Sequence, residues 1–146
     1  MVERILNGKA VVPGRAEGEA VVTCQPISFW GGLNTETGEI IDRRHEKAGT
    51  NIAGKVFVFP HGRGSSTSSA ILAESIRNGT NPAAIINLQV EPILALGSIV
   101  SDELYRQSIP IVVLGEDDFN SIKDGDRIFI EADGKVKVRT EHYKPT

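Results

Sequence analysis

The middle of the chain alternates between strand-like and helix-like segments, and this alternation restricts the fold more than any other feature. Residues 55–59 are branched and aromatic residues that favour a strand, which ends at Pro60. Residues 83–87 and 109–114 predict two further buried strands, and the segments between them have helical spacing. Because strands that alternate with helices pair in parallel through crossover connections, we predict a strand–helix–strand–helix–strand centre.

The two helices of this centre have their own signals. The first is predicted to run to about Arg77 and to end at Asn78-Gly79, since glycine readily takes the left-handed conformation found after a helix. The second is predicted over about residues 92–107, with a break near Gly97.

Antiparallel strands are predicted on both sides of this centre. At the N-terminal side, apolar runs near residues 5–12 and 19–23 surround Pro13-Gly14, which predicts a hairpin at that turn. At the C-terminal side, Asp133-Gly134 predicts a hairpin between two short strands. The fold class is therefore α/β, a single domain over residues 1–146 with a mixed sheet or barrel and about two main helices. Residues 141–146 have no pattern and are predicted to form a disordered tail.

Residues 24–51 show no periodicity and contain Phe29 and Trp30 in a chain with few other aromatic residues. A loop of this length in a compact domain is usually functional or disordered. The two aromatic side chains favour a lid or a contact surface that includes Trp30, Gly31 and Gly32. The alternative is that Trp30 packs onto the core as an anchor.

The chain contains one cysteine, Cys24, among its 146 residues. One cysteine cannot close an internal disulfide, and zinc sites and iron-sulfur clusters need about three or four ligands. We therefore expect no metal and no cofactor on this chain. We expect Cys24 to be a small buried residue at a strand end.

Charge and hydropathy argue against two classes of partner. Sixteen basic residues stand against 19 acidic residues, a net charge of -3, and no basic run is present that would neutralise nucleic-acid phosphates. No apolar stretch approaches the roughly 18 residues that cross a bilayer. The first residues lack the pattern of a signal peptide, so we expect a cytoplasmic protein.

The segment from Phe59 to Ser69 carries the clearest chemical signal. It has the sequence FPHGRGSSTSS and lies between the first central strand and the first helix. Its glycines let another molecule approach the backbone closely, and its hydroxyls adjoin the unpaired N–H groups and positive dipole of the helix start. We therefore predict a site for a phosphate or carboxylate, with Arg63 supplying a fixed positive charge.

Other interpretations of this segment are weaker. Serines before a helix are usually caps, but five hydroxyl residues exceed what capping needs. The segment lacks the lysine of a P-loop, the third glycine of a dinucleotide fingerprint and the Gly-x-Ser-x-Gly elbow of a serine hydrolase. His45 and His61 stay open as site residues, although an isolated histidine more often has a structural role.

The Gly62-Arg63-Gly64-Ser65-Ser66 segment resembles the Gly-x-Gly-Ser-Ser loop of the aconitase superfamily swivel domain. Over about residues 4–140 the chain is similar to the small subunit, or swivel domain, of aconitase X type enzymes, and most similar to their archaeal members. Five further segments carry this resemblance: PGRAEGEA at 13–20, WGG at 30–32, AGKV at 53–56 with Phe59-Pro60, EPI at 91–93 and IPI at 109–111.

The resemblance implies a swivelling β/β/α domain within a two-subunit hydro-lyase. The archaeal members dehydrate mevalonate 5-phosphate to trans-anhydromevalonate 5-phosphate in the modified mevalonate pathway. The resemblance implies that Ser65 is the base that removes the proton from the carbon alpha to the carboxylate. It also implies that the large subunit carries an iron-sulfur cluster of the 4Fe-4S type. We expect five residues to bind the phosphorylated hydroxy-acid substrate: Gly62, Arg63, Gly64, Ser66 and Thr67.

One position departs from the family pattern. Aconitase and its isomerase relatives follow the two serines with an arginine that binds a substrate carboxylate, whereas this chain has Thr67. That role is therefore not transferred, and Arg63 or a residue of the large subunit is the candidate replacement.

Two other functions stay open. Relatives in the same branch dehydrate cis-3-hydroxy-L-proline, and the swivel loop alone does not select the substrate. The second alternative is a non-catalytic, anion-binding swivelling domain, similar to the phosphohistidine domains of phosphotransfer enzymes, with His61 near the mobile loop.

Four residues outside this loop have two interpretations each. Asn87 and Glu91 follow a central strand, where they could face a ligand, although Glu91 is more simply a cap of the next helix. Asp42 and Arg43 could line a site or be solvated loop charges.

Overall fold

The structure is a computed structural model that describes residues 2–63 and 66–140. The expected base Ser65, its neighbour Gly64 and the predicted tail at residues 141–146 lie outside the described residues. The strands are β1 (Val2–Asn7), β2 (Lys9–Val12), β3 (Ala16–Val22), β4 (Val56–Val58), β5 (Ala84–Asn87), β6 (Ile111–Val113), β7 (Arg127–Ile130) and β8 (Lys135–Thr140). The helices are α1 (Thr67–Asn78), α2 (Pro92–Tyr105) and α3 (Glu116–Ser121).

All eight strands join one sheet in the order β1-β8-β7-β3-β4-β5-β6-β2. The central β4, β5 and β6 are parallel, with α1 and α2 as their connections, which confirms the predicted alternation. The β7–β8 hairpin at Asp133-Gly134 is also confirmed. β3 joins the two halves, because residues 16–19 pair antiparallel with β7 while residues 20–22 pair parallel with β4.

The two edge strands of this sheet are consecutive in the chain. β1 and β2 lie at opposite ends of the strand order, yet Gly8 alone separates them. The sheet therefore has to curl until its edges meet at Gly8. There the Gly8 N–H donates to the Gly134 carbonyl at 3.2 Å. A Cβ at Gly8 would lie 2.7 Å from that oxygen and would overlap the side chain of Val112, so the closure requires glycine.

The curled sheet separates two hydrophobic clusters. Alternate residues along β4 and its extension point to opposite faces, as the two-residue period of a strand dictates. Phe57 and Phe59 join the cluster beneath α1 and α2, while Val56 and Val58 join the cluster enclosed by β1, β7 and β8. Each side of the central strands is thus buried, which explains their nearly continuous apolar sequence.

Two local predictions on the N-terminal and helical segments are wrong. β2 and β3 do not form a hairpin at Pro13-Gly14, because β2 pairs with β6 whereas β3 pairs with β4 and β7. α2 continues through Gly97 without a break. A Cβ there would lie 2.6 Å from the Ser69 carbonyl oxygen of α1, so the glycine allows the two helices to cross closely.

One short helix, α3, was not predicted from the sequence. α3 has six residues, and its Phe119 is buried beside the second cluster. In the described part of the chain, no helix is long and apolar enough to cross a membrane.

The segment at residues 24–51 is packed against the core despite its lack of periodicity. Phe29 is buried and its ring contacts the rings of Phe57 and Phe59, with centroid distances of 6.4 and 5.9 Å. Trp30 is 59% exposed, so the anchor of this segment is Phe29 and not Trp30. Cys24 is exposed, so its predicted burial is wrong.

Replacing Gly8 with alanine tests the sheet closure. We expect Gly8→Ala to lower the free energy of unfolding by about 2 kcal/mol, because the added methyl group has to displace the Gly134 backbone and the Val112 side chain. Urea unfolding followed by circular dichroism measures this change. Asn7→Ala is the matched control, since Asn7 is an exposed neighbour in the same strand. Equal stability of the two variants would contradict the closure.

Candidate active-site loop

The predicted loop leads from the end of β4 to the start of α1, at the carboxyl end of the parallel strands. Gly62 forms a parallel bridge with Ile27, and the Arg63 N–H donates to the Ile27 carbonyl at 3.1 Å. The first half of the loop is therefore held by the segment that contains the buried Phe29. Ligand sites in open parallel sheets occur at this same edge.

Glu91 holds the loop from the other side. Its Oε2 accepts a hydrogen bond from the Gly62 N–H at 3.0 Å. A Cβ on Gly62 would lie 3.2 Å from the same carboxylate, so the close approach favours glycine. Glu91 occupies the N-cap position of α2, but its side chain makes no capping hydrogen bond, so the interpretation of its carboxylate as a cap is wrong. Glutamate is not a preferred cap, and Pro92 already suits the first helical position, so the sequence did contain a signal against capping.

The hydroxyl-rich start of α1 divides into structural and outward-facing groups. The Ser68 Oγ accepts a hydrogen bond from the Trp30 N–H at 3.3 Å, and the Ser69 Oγ donates to the Ser66 carbonyl at 2.8 Å. Ser66 itself is exposed and makes no side-chain capping bond. Thr67, the first residue of α1, is also exposed. The first turn of α1 has no acidic residue of its own to offset the positive end of the helix dipole.

A cleft of about 720 Å³ opens beside this loop. Arg63 is an exposed residue of its wall and forms no salt bridge with a described residue. Its charge is therefore free to attract an anion. The other polar and aromatic side chains of the wall are Gln25, Ser28, Trp30, Asp42, Arg44, His45 and His61.

The opposite wall of the cleft has an internal ion pair. The Arg44 backbone N–H donates to the Asp42 carboxylate at 3.0 Å and lowers the pKa of that carboxyl. The Arg44 side chain, 3.5 Å from the same oxygen, acts in the same direction. Asp42 is thus ionised at neutral pH and offsets the charge of Arg44. Arg43 is exposed and does not line the cleft.

The remaining candidate residues, His61, His45 and Asn87, each form a hydrogen bond with the backbone. The His61 Nδ1 donates to the Gly62 carbonyl at 2.7 Å. His45 is buried, and its Nδ1 accepts a hydrogen bond from the Lys47 N–H at 3.0 Å. Asn87 is fully buried and donates from Nδ2 to the Phe59 carbonyl at 2.9 Å, so it ties β5 to the loop entrance.

Within residues 2–63 and 66–140, no three or more histidine, cysteine, aspartate or glutamate side chains form a group that could hold a metal ion. The described residues therefore do not fit an iron-sulfur cluster as its ligands.

Comparison with known proteins gives consistent matches over nearly the full chain. Residues 5–138 match the family model of the aconitase X swivel domain. The phosphomevalonate dehydratase small subunit of Methanosarcina acetivorans is 43% identical over 140 residues, which cover 94% of this chain and 93% of that protein. The cis-3-hydroxy-L-proline dehydratase of Pseudomonas aeruginosa is 44% identical over 108 residues, which cover 74% of this chain and 19% of that protein.

A solved structure gives the same result for the fold. The crystal structure of Thermococcus kodakaraensis aconitase X, in its holo-form, contains a chain that superimposes with a TM-score of 0.84. The two chains are 37% identical, and the match covers 94% of this chain and 99% of that one.

The contact between Glu91 and Gly62 can be tested by amide hydrogen exchange. We expect Glu91→Ala to accelerate exchange at the Gly62 amide by about tenfold, because a hydrogen bond to a charged acceptor, worth about 1.5 kcal/mol, is lost. Glu91→Gln keeps an acceptor oxygen and is expected to restore most of the protection. An unchanged Gly62 amide in the alanine variant would show that Glu91 does not hold the loop.

Proposed function

The chain belongs to the aconitase X swivel-domain family, and we propose that it is the small subunit of a phosphomevalonate dehydratase. The observation that carries this proposal is the match to an archaeal small subunit of that enzyme, which spans nearly the full length of both chains. The proposed reaction removes water from mevalonate 5-phosphate and gives trans-anhydromevalonate 5-phosphate. A cytoplasmic location stays a prediction from the sequence.

The position of the loop supports this proposal. Gly62, Arg63, Ser66 and Thr67 lie at the edge of the sheet where the parallel strands end, and the latter three are exposed. A substrate with a carboxylate and a phosphate needs cationic and N–H groups that face outward. Arg63 and the start of α1 supply such groups without a neutralising acidic side chain in the first turn of the helix.

We assign the proton transfer to Ser65. In the dehydration, Ser65 takes the proton from the C–H bond alpha to the carboxylate, a carbon–carbon double bond forms, and the hydroxyl group on the next carbon leaves and takes up a proton, so that the net loss is one water. A serine hydroxyl is a weak acid, so its alkoxide form needs neighbouring donors and positive charge. In the sequence, Arg63 stands two residues before Ser65, and Ser66 follows Ser65 directly. The positive end of α1 begins two residues after Ser65, at Thr67.

The proposed enzyme needs a second chain. The relative is named a small subunit, which implies a large one, and we propose that the large subunit completes the site over the loop. We also propose that the large subunit holds the iron-sulfur cluster, which would supply a Lewis acid for the leaving hydroxyl. This chain offers one exposed cysteine, Cys24, whereas such a cluster needs about three or four ligands.

The hydroxyproline dehydratase is the second candidate function, because a Pseudomonas aeruginosa enzyme of that name is 44% identical over 108 residues. Its substrate differs from mevalonate 5-phosphate in lacking a phosphate group. Assays of the reconstituted two-subunit enzyme with both substrates distinguish the two functions. We expect turnover of mevalonate 5-phosphate, and turnover of cis-3-hydroxy-L-proline alone would contradict our proposal.

Ser65→Ala tests the proposed base. We expect kcat to fall by about a thousandfold with little change in KM, since general base catalysis contributes about 10² to 10⁴ in rate. Steady-state kinetics of the reconstituted complex measure both constants. Ser108→Ala is the control, because Ser108 is an exposed serine remote from the loop in sequence. Full activity in Ser65→Ala together with loss in His61→Ala would favour the phosphohistidine alternative and contradict the assignment.

Arg63→Ala tests the binding of the anionic substrate. We expect KM for mevalonate 5-phosphate to rise about tenfold or more, because a charge-assisted hydrogen bond contributes about 1.5–3 kcal/mol. The control is Arg15→Ala, which removes an exposed arginine outside the cleft. Unchanged KM and kcat in Arg63→Ala would remove this residue from the site.

A further inference from the structure

The outward side of α2 is unusually apolar. Four of its residues, which we call the α2 face, are between 36% and 65% exposed: Leu96, Ile99, Val100 and Leu104. They follow the spacing i, i+3, i+4 and i+8, so they lie on one side of the helix. The patch extends along about two turns, and the exposed Glu103, four residues after Ile99 and three after Val100, is its one charged member.

The opposite side of α2 packs against the rest of the chain. Leu94, Ala95 and Gly97 are buried, and the backbone of α1 closely approaches Gly97. α2 has only two charged residues in its sequence, Asp102 and Glu103. A helix that is apolar all round is typical of a buried element, whereas a surface helix has a charged outer side. The α2 face thus has the composition of an interface.

The β1 side of the sheet provides a contrast. There the exposed cross-strand neighbours include ion pairs, such as Arg139 with Glu3 and Arg127 with Glu17. Ile5 is also exposed on β1, but it stands among these charged residues. Charged edges of this kind are typical of a surface that stays in water.

The α2 face begins five residues after Glu91, which contacts the loop of the candidate site. Glu91, which directly precedes α2, binds the loop through Gly62, and the neighbouring Val90 is half exposed. The start of α2 and the loop therefore lie together at one end of the molecule. A protein that covers the loop would also reach the first turn of α2, and Leu96 lies about one helical turn after Pro92.

We propose that the α2 face is the surface on which the large subunit docks. This inference rests on the proposed two-subunit function. The expected partner surface is apolar, with basic residues opposite Asp102 and Glu103. The large subunit is favoured over a second copy of this chain, because the site needs a partner at the start of α2. In addition, the Pseudomonas aeruginosa relative joins its matching segment to a much longer chain, of which that segment is 19%.

The test measures assembly and not activity. The full chain is co-expressed with the large subunit encoded in the same genome, and a tag on the large subunit is used to capture the complex. Ile99→Lys and Leu104→Lys place a charge on the α2 face while keeping good helix propensity. Ile5→Lys is the matched control, since it makes the same change at an exposed isoleucine of β1. Circular dichroism of each purified variant checks that it is folded.

We expect Ile99→Lys and Leu104→Lys each to weaken binding of the large subunit at least about tenfold, because a charge would be buried in an apolar contact. Ile5→Lys is expected to bind as the unmodified chain does. Normal binding by both α2 variants overturns the docking surface but leaves the two-subunit function intact. A stable dimer of this chain that the α2 variants dissociate also overturns it. Failure of the unmodified chain to bind the large subunit overturns both proposals.

Discussion

One glycine between two edge strands determines the shape of the molecule. β1 and β2 belong to opposite ends of the strand order but are separated by Gly8 alone, so the sheet can form only if it curls and closes. Closure brings the Gly8 and Gly134 backbones within hydrogen-bond distance, which leaves no room for a side chain. Closure also gives the central strands two buried faces.

The candidate site lies where the parallel strands β4 and β5 end. Gly62 is held on one side by the bridge to Ile27 and on the other by the Glu91 carboxylate. The aromatic contacts of Phe29 anchor the first of these supports in the core. Both supports hold the backbone of the loop at Gly62 and leave the Arg63 side chain exposed. A loop held in this way leaves charge and hydroxyl groups exposed, as the proposed half of a shared active site requires.

Much of this arrangement could be predicted from the sequence, and the parts that could not depend on contacts distant in the chain. The central alternation and the β7–β8 hairpin are local patterns, and both were predicted correctly. The partners of β2 and β3 are set by sheet closure, which no local turn signal at Pro13-Gly14 encodes. The sequence alone suggests a break of α2 at Gly97, since glycine is a poor helix former. Its actual role is the close contact with α1, about 30 residues earlier, which no local pattern shows. Glu91 was predicted to cap α2 because its partner Gly62 is close only in the folded chain. The family resemblance was confirmed, and the role of Ser65 stays a prediction.

The central claim is that this chain supplies one half of an active site and is inactive by itself. The most direct measurement is the rate of dehydration of mevalonate 5-phosphate as this chain is added to a fixed amount of the large subunit. The account predicts no turnover by either chain alone and a rate that rises to a plateau at one chain per large subunit. Full turnover by the large subunit without this chain would contradict it.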